Sequence, residues 1–369
     1  MSDDVYGIGP RSKDTEIWPP ALDYKPRRNL DYQPEIALIG CGGIAATHLK
    51  AYREAGFKVT ALCDINLENA RKLQQAYYPE ARIYTDYQAM LKDDAIAVVD
   101  MATYPEIRAR MYHDVIAAGK HILSQKPFVT SIPFGREIID LAARQGVTIA
   151  VNQNGRWAPH FRYITRVIEA GLIGEVIAAH FSVTWNHNWI AGTPFEDVQY
   201  VLLYDFGIHW FDLVNVFLQG RSPIRVYASA GHAKGQTVKP PFLSQAVIEF
   251  EDAQASISFD ADSKIGQEDR TIVVGTHGLV KSVGPDLLHQ NVELFREEGI
   301  ARPQLEGNWF LEGFQGTMAE LLAAIQEKRE PANSARNNLK SLELCFAAVA
   351  SADSQRAVVP GKEGFSLIK

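Results

Sequence analysis

The stretch Ile36-Ala37-Leu38-Ile39-Gly40-Cys41-Gly42-Gly43-Ile44-Ala45 decides the fold of the N-terminal half of this chain. A short apolar run precedes a glycine-rich turn and helix-forming residues, which predicts a strand, a tight turn and a helix. Gly40 permits the sharp turn, Gly42 leaves room for a pyrophosphate beside the backbone, and Ala45 lets the helix pack on the strand. Because N–H groups at a helix start favour phosphate, we predict a dinucleotide site formed by Gly40, Gly42, Gly43, Ile44 and Ala45.

A single acidic residue indicates which dinucleotide binds. The apolar segment 58–63 ends at Asp64, which lies 22 residues after Gly42 and is followed by Ile65. A carboxylate about 20 residues after the glycines holds a ribose 2′-hydroxyl and repels a 2′-phosphate. We therefore predict NAD(H) as the cofactor, with Asp64 and Ile65 among the residues that bind it. The alternative is a glycine turn in another α/β protein, in which Asp64 caps the helix that begins near Leu67.

Length and composition are typical of a globular protein with two domains. The chain has 369 residues, a net charge of −7 and a pI of about 5.8, which give no sign of a nucleic-acid or anionic membrane partner. No apolar run reaches the ~18 residues of a membrane span, and Met1-Ser2-Asp3-Asp4 does not resemble the start of a signal peptide. The three cysteines have no metal-ligand spacing. We expect a reduced, cytoplasmic protein without a metal.

Residues 1–34 are predicted to form an extended N-terminal arm. Five prolines stand in this segment, with Trp18, Tyr24 and Tyr32 between them, and such a composition does not form a helix or a central strand. A frayed terminus is one interpretation. Aromatic residues are unusual in disordered tails, so we expect Trp18 and Tyr24 to dock on the chain's own surface or on a neighbouring subunit.

Residues 35–155 are predicted to form a Rossmann-type α/β domain. Strand-like and helix-like segments alternate, which indicates a parallel sheet covered by helices. The predicted strands are 36–40, 58–63, 82–84, 96–101, 121–124 and 148–152, and the predicted helices are 44–55, 67–76, 86–91, 106–118 and 133–145. Ligands of such sheets bind beyond the carboxyl ends of the strands. That rule points to segments 40–45, 64, 102–105, 125–127 and 152–159.

Residues 156–369 are predicted to form an α+β domain for substrate binding and oligomerisation. Several strands follow one another between 224 and 295 without helices between them, which predicts a mostly antiparallel, open sheet. A β-rich run spans 176–189, and the predicted helices are 161–170, 204–218, 310–328 and 335–350. The final helices are expected to pack back on the first domain.

Lys126 stands at the end of a predicted parallel strand. The segment Gly119-Lys120-His121-Ile122-Leu123-Ser124-Gln125-Lys126-Pro127 is a strand followed at once by a Lys-Pro pair. Pro127 disfavours helical geometry at Lys126, so we expect the lysine on the ligand side of the sheet. An ammonium group there can donate to a substrate hydroxyl and lower its pKa. A surface lysine before a turn proline explains this stretch alone equally well.

Two further polar groups have the spacing of one helix face. Asp205 and His209 are four residues apart in an apolar helical segment. Asp205 can orient His209, and His209 can take a proton near pH 7. The alternative interpretation is that Asp205 is an N-cap and His209 a satisfied core histidine.

The run Thr184-Trp185-Asn186-His187-Asn188-Trp189 suggests a sugar platform. With the period of a strand, Trp185, His187 and Trp189 share one face. Aromatic faces beside amides suit a sugar ring, and a stripe of core aromatic residues is the alternative. The sequence shows neither a tight metal-binding cluster around its histidines nor the G-x-S-x-G turn of a hydrolase.

These segments together resemble the Gfo/Idh/MocA family, the glucose–fructose oxidoreductase and inositol dehydrogenase group. Three motifs appear in the family's order, at 40–45, 118–127 ("AGKHVLxEKP" in the family) and 205–212 ("DxGxHxxD" in the family). The resemblance covers residues 35 to 360 approximately. It implies an oxidoreductase that acts on a small molecule, with NAD or NADP as cofactor, and a subunit interface on the sheet of the second domain. A homo-oligomer, either a dimer or a tetramer, is therefore expected.

The family also implies a role for each site residue. His209 would remove the proton of the substrate hydroxyl, Lys126 would polarise or relay it, and Asp205 would hold His209, while hydride passes to the nicotinamide. Asn152, Arg156 and Trp157 match a family segment that faces cofactor and substrate. Besides the residues above, the predicted cofactor-binding set is Thr103, Tyr104, Gln125, Lys126, Asn152 and Trp157. The predicted substrate-binding set is Lys126, Arg156, Trp185, His187, Trp189, Asp205 and His209.

Two departures from the family pattern concern the cofactor side. The glutamate that precedes Lys-Pro in the family is Gln125 here, which removes a negative charge near Lys126. In the family's "TP…H" segment, Tyr104 displaces the proline by one position and Arg108 replaces the histidine. We expect a locally altered cofactor pocket.

The sequence predicts an NAD(H)-dependent dehydrogenase that oxidises a secondary hydroxyl of a sugar, a glycoside or a cyclic polyol. Two alternatives remain. One is an NAD-dependent glycosidase in which the cofactor is oxidised and reduced within each turnover, because family membership does not fix the net reaction. The other is a dinucleotide-binding regulator without catalysis, against which the presence of Lys126, Asp205 and His209 argues.

Overall fold

Alternating strands and helices build a six-stranded parallel sheet in the first half of the chain. The structure is a computed structural model that describes residues 13–27 and 30–361. After a short strand β1 (Glu16–Ile17), which lies outside this sheet, the strands are β2 (Glu35–Ile39), β3 (Val59–Cys63), β4 (Arg82–Tyr84), β5 (Ile96–Met101), β6 (His121–Gln125) and β7 (Ile149–Asn152). The helices are α1 (Ala45–Ala55), α2 (Leu67–Tyr77), α3 (Tyr87–Leu91), α4 (Pro105–Ala117) and α5 (Ile132–Arg144). The sheet order is β4-β3-β2-β5-β6-β7.

The predicted order of elements in this half is confirmed. Every strand and helix expected between residues 36 and 152 is present, and no end differs from the prediction by more than one residue. The reason is that the central strands are buried on both faces and therefore read as continuous apolar runs. Ile36, Leu38 and Val98, for example, are fully buried. Their carboxyl ends all point to the same edge, which is where the site is built.

A nine-stranded sheet forms most of the second half. Its helices and strands are α6 (Pro159–Glu169), β8 (Val176–Thr184), α7 (Ile208–Phe217), β9 (Arg225–Gly231), β10 (Leu243–Glu249), β11 (Gln254–Asp260), β12 (Glu268–Gly275), β13 (Leu279–Gly284), β14 (Asn291–Arg296) and β15 (Gly299–Ala301), followed by α8 (Leu311–Glu327) and α9 (Ala335–Ser354). The order is β1-β15-β14-β13-β12-β8-β11-β10-β9. Within this sheet β1 with β15 and β8 with β11 run parallel, and the other neighbours run antiparallel, which confirms the expected mostly antiparallel sheet.

Two boundaries near the site differ from the sequence prediction. Strand β8 ends at Thr184 rather than continuing to Trp189, because the chain turns into a short 3₁₀ segment at Asn188–Ile190. The predicted helix 204–218 is divided into a π-helical turn at Leu202–Phe206 and α7, which begins at Ile208. The residue that precedes α7 is Gly207, so the interpretation of Asp205 as an N-cap is wrong.

The described part of the N-terminal arm docks on the chain itself. β1 pairs with β15, and the ring of Tyr24 contacts that of Tyr163 edge-on at 6.3 Å between centroids. The hydroxyl of Tyr24 accepts a hydrogen bond from the backbone N–H of Glu306 at 2.9 Å. Trp18 does not dock in this way, since its side chain is 95% exposed. The parts of the predicted arm at 1–12, 28 and 29 lie outside the described residues.

The last two helices pack back on the parallel sheet. Met318, Leu321 and Leu322 of α8 are buried in one apolar cluster with Leu38 and Leu123 of the sheet. The segment before α9 follows the edge of the sheet, where the backbone N–H of Val151 donates to the carbonyl of Asn333 at 2.8 Å. Along the described residues, no helix is long and apolar enough to cross a membrane.

Candidate active site

The glycine-rich turn has the shape that a dinucleotide needs. Gly40 has a φ of +93°, and a Cβ on it would lie 2.7 Å from Cγ2 of Thr103, so only glycine fits. At Gly42 and Gly43 the direction of a Cβ meets no atom within 4 Å. Ala45 is fully buried where α1 begins. The open side of the turn therefore offers backbone N–H groups to a phosphate at the start of an eleven-residue helix.

Asp64 supports this turn from the end of β3. Its Oδ2 accepts a hydrogen bond from the backbone N–H of Cys41 at 2.7 Å, and its Oδ1 accepts one from Asn66 at 2.8 Å. The cap of α2 is Asn66, whose side chain accepts from the N–H of Glu68. The alternative in which Asp64 caps that helix is therefore wrong. Ile65 lies beside Asp64 with its side chain 95% exposed.

Arg108 ties together the two loops that continue the cofactor side. Its buried guanidinium donates to the carbonyls of Thr103 and Pro127, which follow neighbouring strands. Tyr104 precedes α4 with about half of its side chain exposed. The arginine that departs from the family pattern thus joins the ends of β5 and β6. Tyr104 remains exposed at that edge, and Thr103 packs against Gly40.

Lys126 and Asp205 form an ion pair that is only partly buried. The Nζ of Lys126 donates to Oδ2 of Asp205 at 2.9 Å and to its backbone carbonyl at 2.8 Å. The side chains are 17% and 13% exposed, and Nζ also lies 5.6 Å from the ring centroid of Phe206. An ammonium group has three N–H donors, and the described residues provide acceptors for two of them. One donor remains for a substrate oxygen.

The π-helical turn that carries Asp205 depends on a glycine. The N–H of Gly207 closes the turn on the carbonyl of Leu202 at 2.8 Å. A Cβ on Gly207 would lie 2.5 Å from the carbonyl oxygen of Leu203 and 2.6 Å from that of Leu202, so a larger residue would displace the turn. Such turns are often found at functional sites. Here the turn places Asp205 against Lys126.

His209 follows on α7 and is buried in an apolar, aromatic environment. Its ring lies edge-on to Trp309 at 5.2 Å between centroids, and its Nδ1 has no hydrogen-bond partner among the described residues. Burial, reinforced by the charge of Lys126, holds the pKa of His209 well below the usual 6.5. The expectation that Asp205 holds His209 is not met, because the Asp205 carboxylate is bonded to Lys126. His209 is thus kept neutral and is positioned by packing.

An aromatic wall adjoins the Lys126–Asp205 pair. The ring of His187 stacks near Trp185 at 5.7 Å and lies edge-on to Phe206 at 4.0 Å and to Trp189 at 5.0 Å. Although the strand ends at Thr184, the turn still gathers the three predicted rings on one side. Trp189 is 55% exposed, whereas His187 is buried. Burial, ahead of the charge of Lys126, lowers the pKa of His187 to about 4.

Trp309 is a buried neighbour of His209 that the sequence analysis missed. It lies in the loop before α8, far from the motifs in sequence, and contacts the rings of His209 and Trp210. A Cβ on Gly155 would lie 2.9 Å from its ring, so that glycine makes room for the indole. The only sequence signal was an aromatic residue beside the start of a predicted helix, which is not specific.

A directed chain of buried hydrogen bonds lies beneath Lys126. The backbone N–H of Lys126 donates to Oε1 of Gln125 at 2.7 Å, which leaves the Nε2 of Gln125 to donate to Nε2 of His48 at 3.0 Å. The other ring nitrogen of His48 must then carry the proton and donate to Oδ2 of Asp100 at 2.7 Å. Asn152 also contacts Nε2 of His48, at 3.3 Å. His48 and Asp100 are fully buried, and neither was identified as a site residue from the sequence.

Three residues of the predicted site are committed to internal contacts. Arg156 donates from Nε and Nη2 to both carboxylate oxygens of Asp212 at 2.6 Å, and from Nη1 to the carbonyl of Ala332 at 2.5 Å. Trp157 packs against Gly316 of α8, and Asn152 is fully buried. The expectation that Arg156 and Trp157 face substrate and cofactor is therefore corrected, because the packing of α7 and α8 occupies both side chains. Within the described residues, no three His, Cys, Asp or Glu side chains converge as a metal site would require.

Two protein-family models match the chain. The model described as an oxidoreductase family with an NAD-binding Rossmann fold matches residues 35–153, and the GFO/IDH/MocA C-terminal domain matches residues 161–281. The chain belongs to the Gfo/Idh/MocA oxidoreductase family. The family, the fold and the NAD(H) cofactor expected from the sequence are thereby confirmed.

Curated relatives of this Gfo/Idh/MocA chain include named dehydrogenases. It is 28% identical to the D-apiose dehydrogenase of Paraburkholderia graminis over 87% of this chain and 88% of the relative. It is 26% identical to the inositol 2-dehydrogenase of Rhizobium meliloti over 88% of this chain and 98% of the relative. The crystal structure of an oxidoreductase from Agrobacterium radiobacter with NAD⁺, L-tartaric acid and magnesium matches with a TM-score of 0.79 at 22% identity, over 89% of this chain and 98% of that chain. The two-sheet fold is shared with that structure.

Proposed function

We propose that this protein is an NAD-dependent dehydrogenase that oxidises a secondary hydroxyl of a sugar, a glycoside or a cyclic polyol. The proposal rests on the partly exposed Lys126–Asp205 ion pair, which lies near the neutral His209. Both are found at the edge of the parallel sheet that also carries the open glycine turn. The names of the relatives, D-apiose dehydrogenase and inositol 2-dehydrogenase, support the substrate class.

The residues of this chain fit the dinucleotide that the family binds. The turn of Gly40, Gly42, Gly43, Ile44 and Ala45 would hold the pyrophosphate, and Asp64 with Ile65 would lie at the adenosine ribose. Tyr104 and Lys126 would continue the cofactor site along the same edge, with Thr103 packed against Gly40 and with Gln125 beneath Lys126, where both ends of its amide are in use. When bound, NAD supplies the acceptor for a hydride ion. Asn152 contributes indirectly, through its contact with His48.

The proton chemistry belongs to two side chains. The free donor of Lys126 would bind the hydroxyl oxygen of the substrate and lower its pKa, since an adjacent ammonium stabilises the alkoxide. His209 is neutral and can therefore accept the proton as the carbonyl forms. Asp205 keeps Lys126 in place rather than orienting His209. In the reverse direction the same residues would return the proton to a carbonyl oxygen.

The aromatic wall would bind the ring of the substrate. Trp185 and Trp189 would offer indole faces beside the Lys126–Asp205 pair, and a pyranose or cyclitol has C–H patches that pack on such faces. His187 supports both rings. Arg156 is omitted from the substrate site because Asp212 occupies its guanidinium.

We propose further that the chain divides into an arm (1–34), a cofactor domain (35–155) and a substrate and oligomerisation domain (156–369), and that it is a cytoplasmic homo-oligomer. Its three cysteines are free and buried, which suits a reducing compartment.

On the outer face of the second sheet, the cross-strand pair Tyr227 and Val247 is about half exposed. Val247→Lys should lower the mass in solution measured by light scattering, and an unchanged mass would contradict an interface there.

The direct test is a substrate screen. The purified protein is mixed with NAD and panels of sugars, glycosides and inositols, and the absorbance band of reduced nicotinamide is followed. Growth of the band with one compound class is expected and names the substrate class. A changed sugar product without net growth of the band would favour the redox-neutral glycosidase instead. Absence of both, with NAD bound, would contradict the proposal and favour a regulator.

A further inference from the structure

A cleft of about 360 Å³ lies between α6, α7 and the start of α9. Its volume falls within the range of small-molecule sites, which is about 300–1,000 Å³. Asn215 and Val216 line it and follow His209 by six and seven residues, about 10 Å along the axis of α7. None of Lys126, Asp205 and His209 is among the described residues that line the cleft.

The cleft is positively charged in a protein whose net charge is −7. Four cationic residues line it, namely Arg156, Arg162, Arg336 and Lys340, and two carboxylates do so, namely Glu169 and Glu330. A concentration of one sign of charge in a concave site raises the local concentration of ligands of the opposite sign. This cleft would therefore attract an anion.

The two acidic residues of the cleft neutralise its basic groups only in part. Glu169 accepts a hydrogen bond from Nη1 of Arg166 at 2.5 Å, and Glu330 accepts one from the hydroxyl of Ser334 at 2.7 Å. Arg336 reaches Glu330 only at 3.9 Å. The positive charge of the remaining lining residues is thus incompletely compensated by the protein.

Arg162 is the residue that most requires a partner. Its guanidinium carbon lies 5.8 Å from the ring centroid of Trp157, and among the described residues no carboxylate or carbonyl accepts a hydrogen bond from it. Burial, ahead of repulsion by Arg166, lowers the pKa of its guanidinium, and the charges of Glu169, Glu320 and Asp23 offset this only in part. A desolvated charge without a hydrogen-bonded partner is costly. An anion in the cleft would reduce that cost.

Two further features converge on the same place. Lys340 is exposed at the rim and has no ion pair within the part of the chain that the structure describes. The twenty-residue helix α9 begins at the cleft without an acidic residue in its first turn, so the positive end of its dipole is also uncompensated. The floor is closed by Arg156, whose guanidinium is held by Asp212, Asn337 and the carbonyl of Ala332.

We propose that this cleft is a second ligand site, separate from the candidate active site, for a small molecule that carries a phosphate or carboxylate group. Arg162 and Lys340 would bind the anionic group, with Arg162 providing a planar fork of donors. The bound molecule would contact α7 through Asn215 and would stabilise the junction of α7 with α9.

The test is calorimetric titration of the full-length protein, saturated with NAD so that the glycine turn is occupied. Inorganic phosphate and malonate are titrated separately, each against potassium chloride at equal ionic strength. We expect saturable binding of at least one of them, weakened about tenfold or more by Arg162→Gln and by Lys340→Gln. Lys72→Gln, which removes an exposed lysine from α2, is the matched control and should bind as the wild type does.

Absence of saturable binding, or equal binding by all variants, would overturn the proposal. Because Lys340 is exposed, Lys340→Gln should fold normally and keeps the test valid if Arg162→Gln does not. A fall in mass in solution upon either substitution, without anion binding by the wild type, would show that another subunit fills the cleft and would also overturn it. The substrate screen is independent of these variants, so failure of the proposed dehydrogenase activity would be seen separately.

Discussion

The ion pairs Lys126–Asp205 and Arg156–Asp212 both join the parallel sheet to the segment that contains α7. They differ in solvent exposure and in the number of hydrogen-bond donors left free. Lys126 and Arg156 follow the adjacent strands β6 and β7. Their partners are seven residues apart, Asp205 in the π-helical turn and Asp212 in α7. The Lys126–Asp205 side chains are 17% and 13% exposed, whereas those of Arg156 and Asp212 are 6% and 1% exposed. The first pair leaves one donor free, and the second has several donors in use.

The difference shows why a family motif does not assign function residue by residue. Asp205 and Asp212 are both acidic positions of the same motif, yet one positions a reactive lysine and the other neutralises an arginine in the core. What separates them is whether hydrogen-bonding capacity remains for a ligand. We call Lys126–Asp205 the open pair, because a donor remains for a ligand, and Arg156–Asp212 the closed pair. The open pair is assigned to catalysis and the closed pair to stability.

Removal of the closed pair's cation should have the largest effect. Arg156→Met leaves Asp212 charged and buried, which costs about 3–5 kcal/mol. The free energy of unfolding in urea should fall by that amount, while kcat of the folded fraction changes little. Arg166→Met is the matched control, because it breaks an exposed pair with Glu169 and should cost less than about 1 kcal/mol. Equal losses in the two variants would contradict the assignment.

Removal of the open pair's cation should have the opposite signature. Lys126→Met should lower kcat by about 10²–10³-fold, with little change in the free energy of unfolding. Lys120→Met is the control at the opposite end of β6, since the buried amine of Lys120 is held by the carbonyls of Asp93 and Ile96. That control should lose stability and keep its kcat. The reverse outcome would mean that Lys126 is structural.

The buried side chain of His160 should make the stability of the protein sensitive to acid. Burial lowers the pKa of His160 to about 3, whereas in the unfolded chain it titrates near 6.5. The unfolded state therefore takes up a proton first as the pH falls, and stability decreases below pH 6.5. From pH 7 to pH 5 this group should cost about 2 kcal/mol. His160→Gln should lose that part of the dependence, and the exposed His113→Gln should retain it; equal slopes in both would refute the assignment.

The smallest predicted effect concerns the chain beneath Lys126. Gln125→Glu replaces the Nε2 donor by a carboxylate oxygen, so two acceptors would face each other where Gln125 now donates to His48 at 3.0 Å. Loss of a buried hydrogen bond costs about 1–3 kcal/mol, and the same side chain holds the backbone of Lys126, so we expect kcat/KM to fall roughly tenfold. An unchanged kcat/KM would show that the direction of these hydrogen bonds is unimportant.

Most of the cofactor side could be predicted from the sequence because its determinants are local. Gly40 and Gly42 act through the geometry of the backbone, and Asp64 acts through its place at the end of a strand. The apolar runs in the sequence and the spacing between these residues indicate both features. The strand–helix order up to residue 152 was predicted within one residue for the same reason. The sequence did not identify Asn66 as the cap of α2, because both Asp64 and Asn66 precede that helix. Only the fold shows that the side chain of Asn66 accepts the hydrogen bond from the N–H of Glu68.

The substrate side could be predicted only in part because it depends on contacts distant in sequence. Lys126 and His209 were identified, but the partner of Asp205 was not, since a π-helical turn aims its carboxylate away from His209. Trp309 and His48 carried no specific pattern. The orientation of Arg156 depends on Asp212 of α7 and on Ala332 and Asn337, which lie 56, 176 and 181 residues later in the chain, and no local rule could have indicated it.

The most direct test of the central assignment is single-turnover formation of reduced nicotinamide. Wild type and His209→Ala, each loaded with NAD to equal occupancy, are mixed with an excess of the sugar or polyol identified by the screen. We expect one equivalent of reduced nicotinamide from the wild type and formation at least about 100-fold slower in the variant. Equal rates at equal NAD occupancy would remove His209 from the mechanism and contradict the assignment.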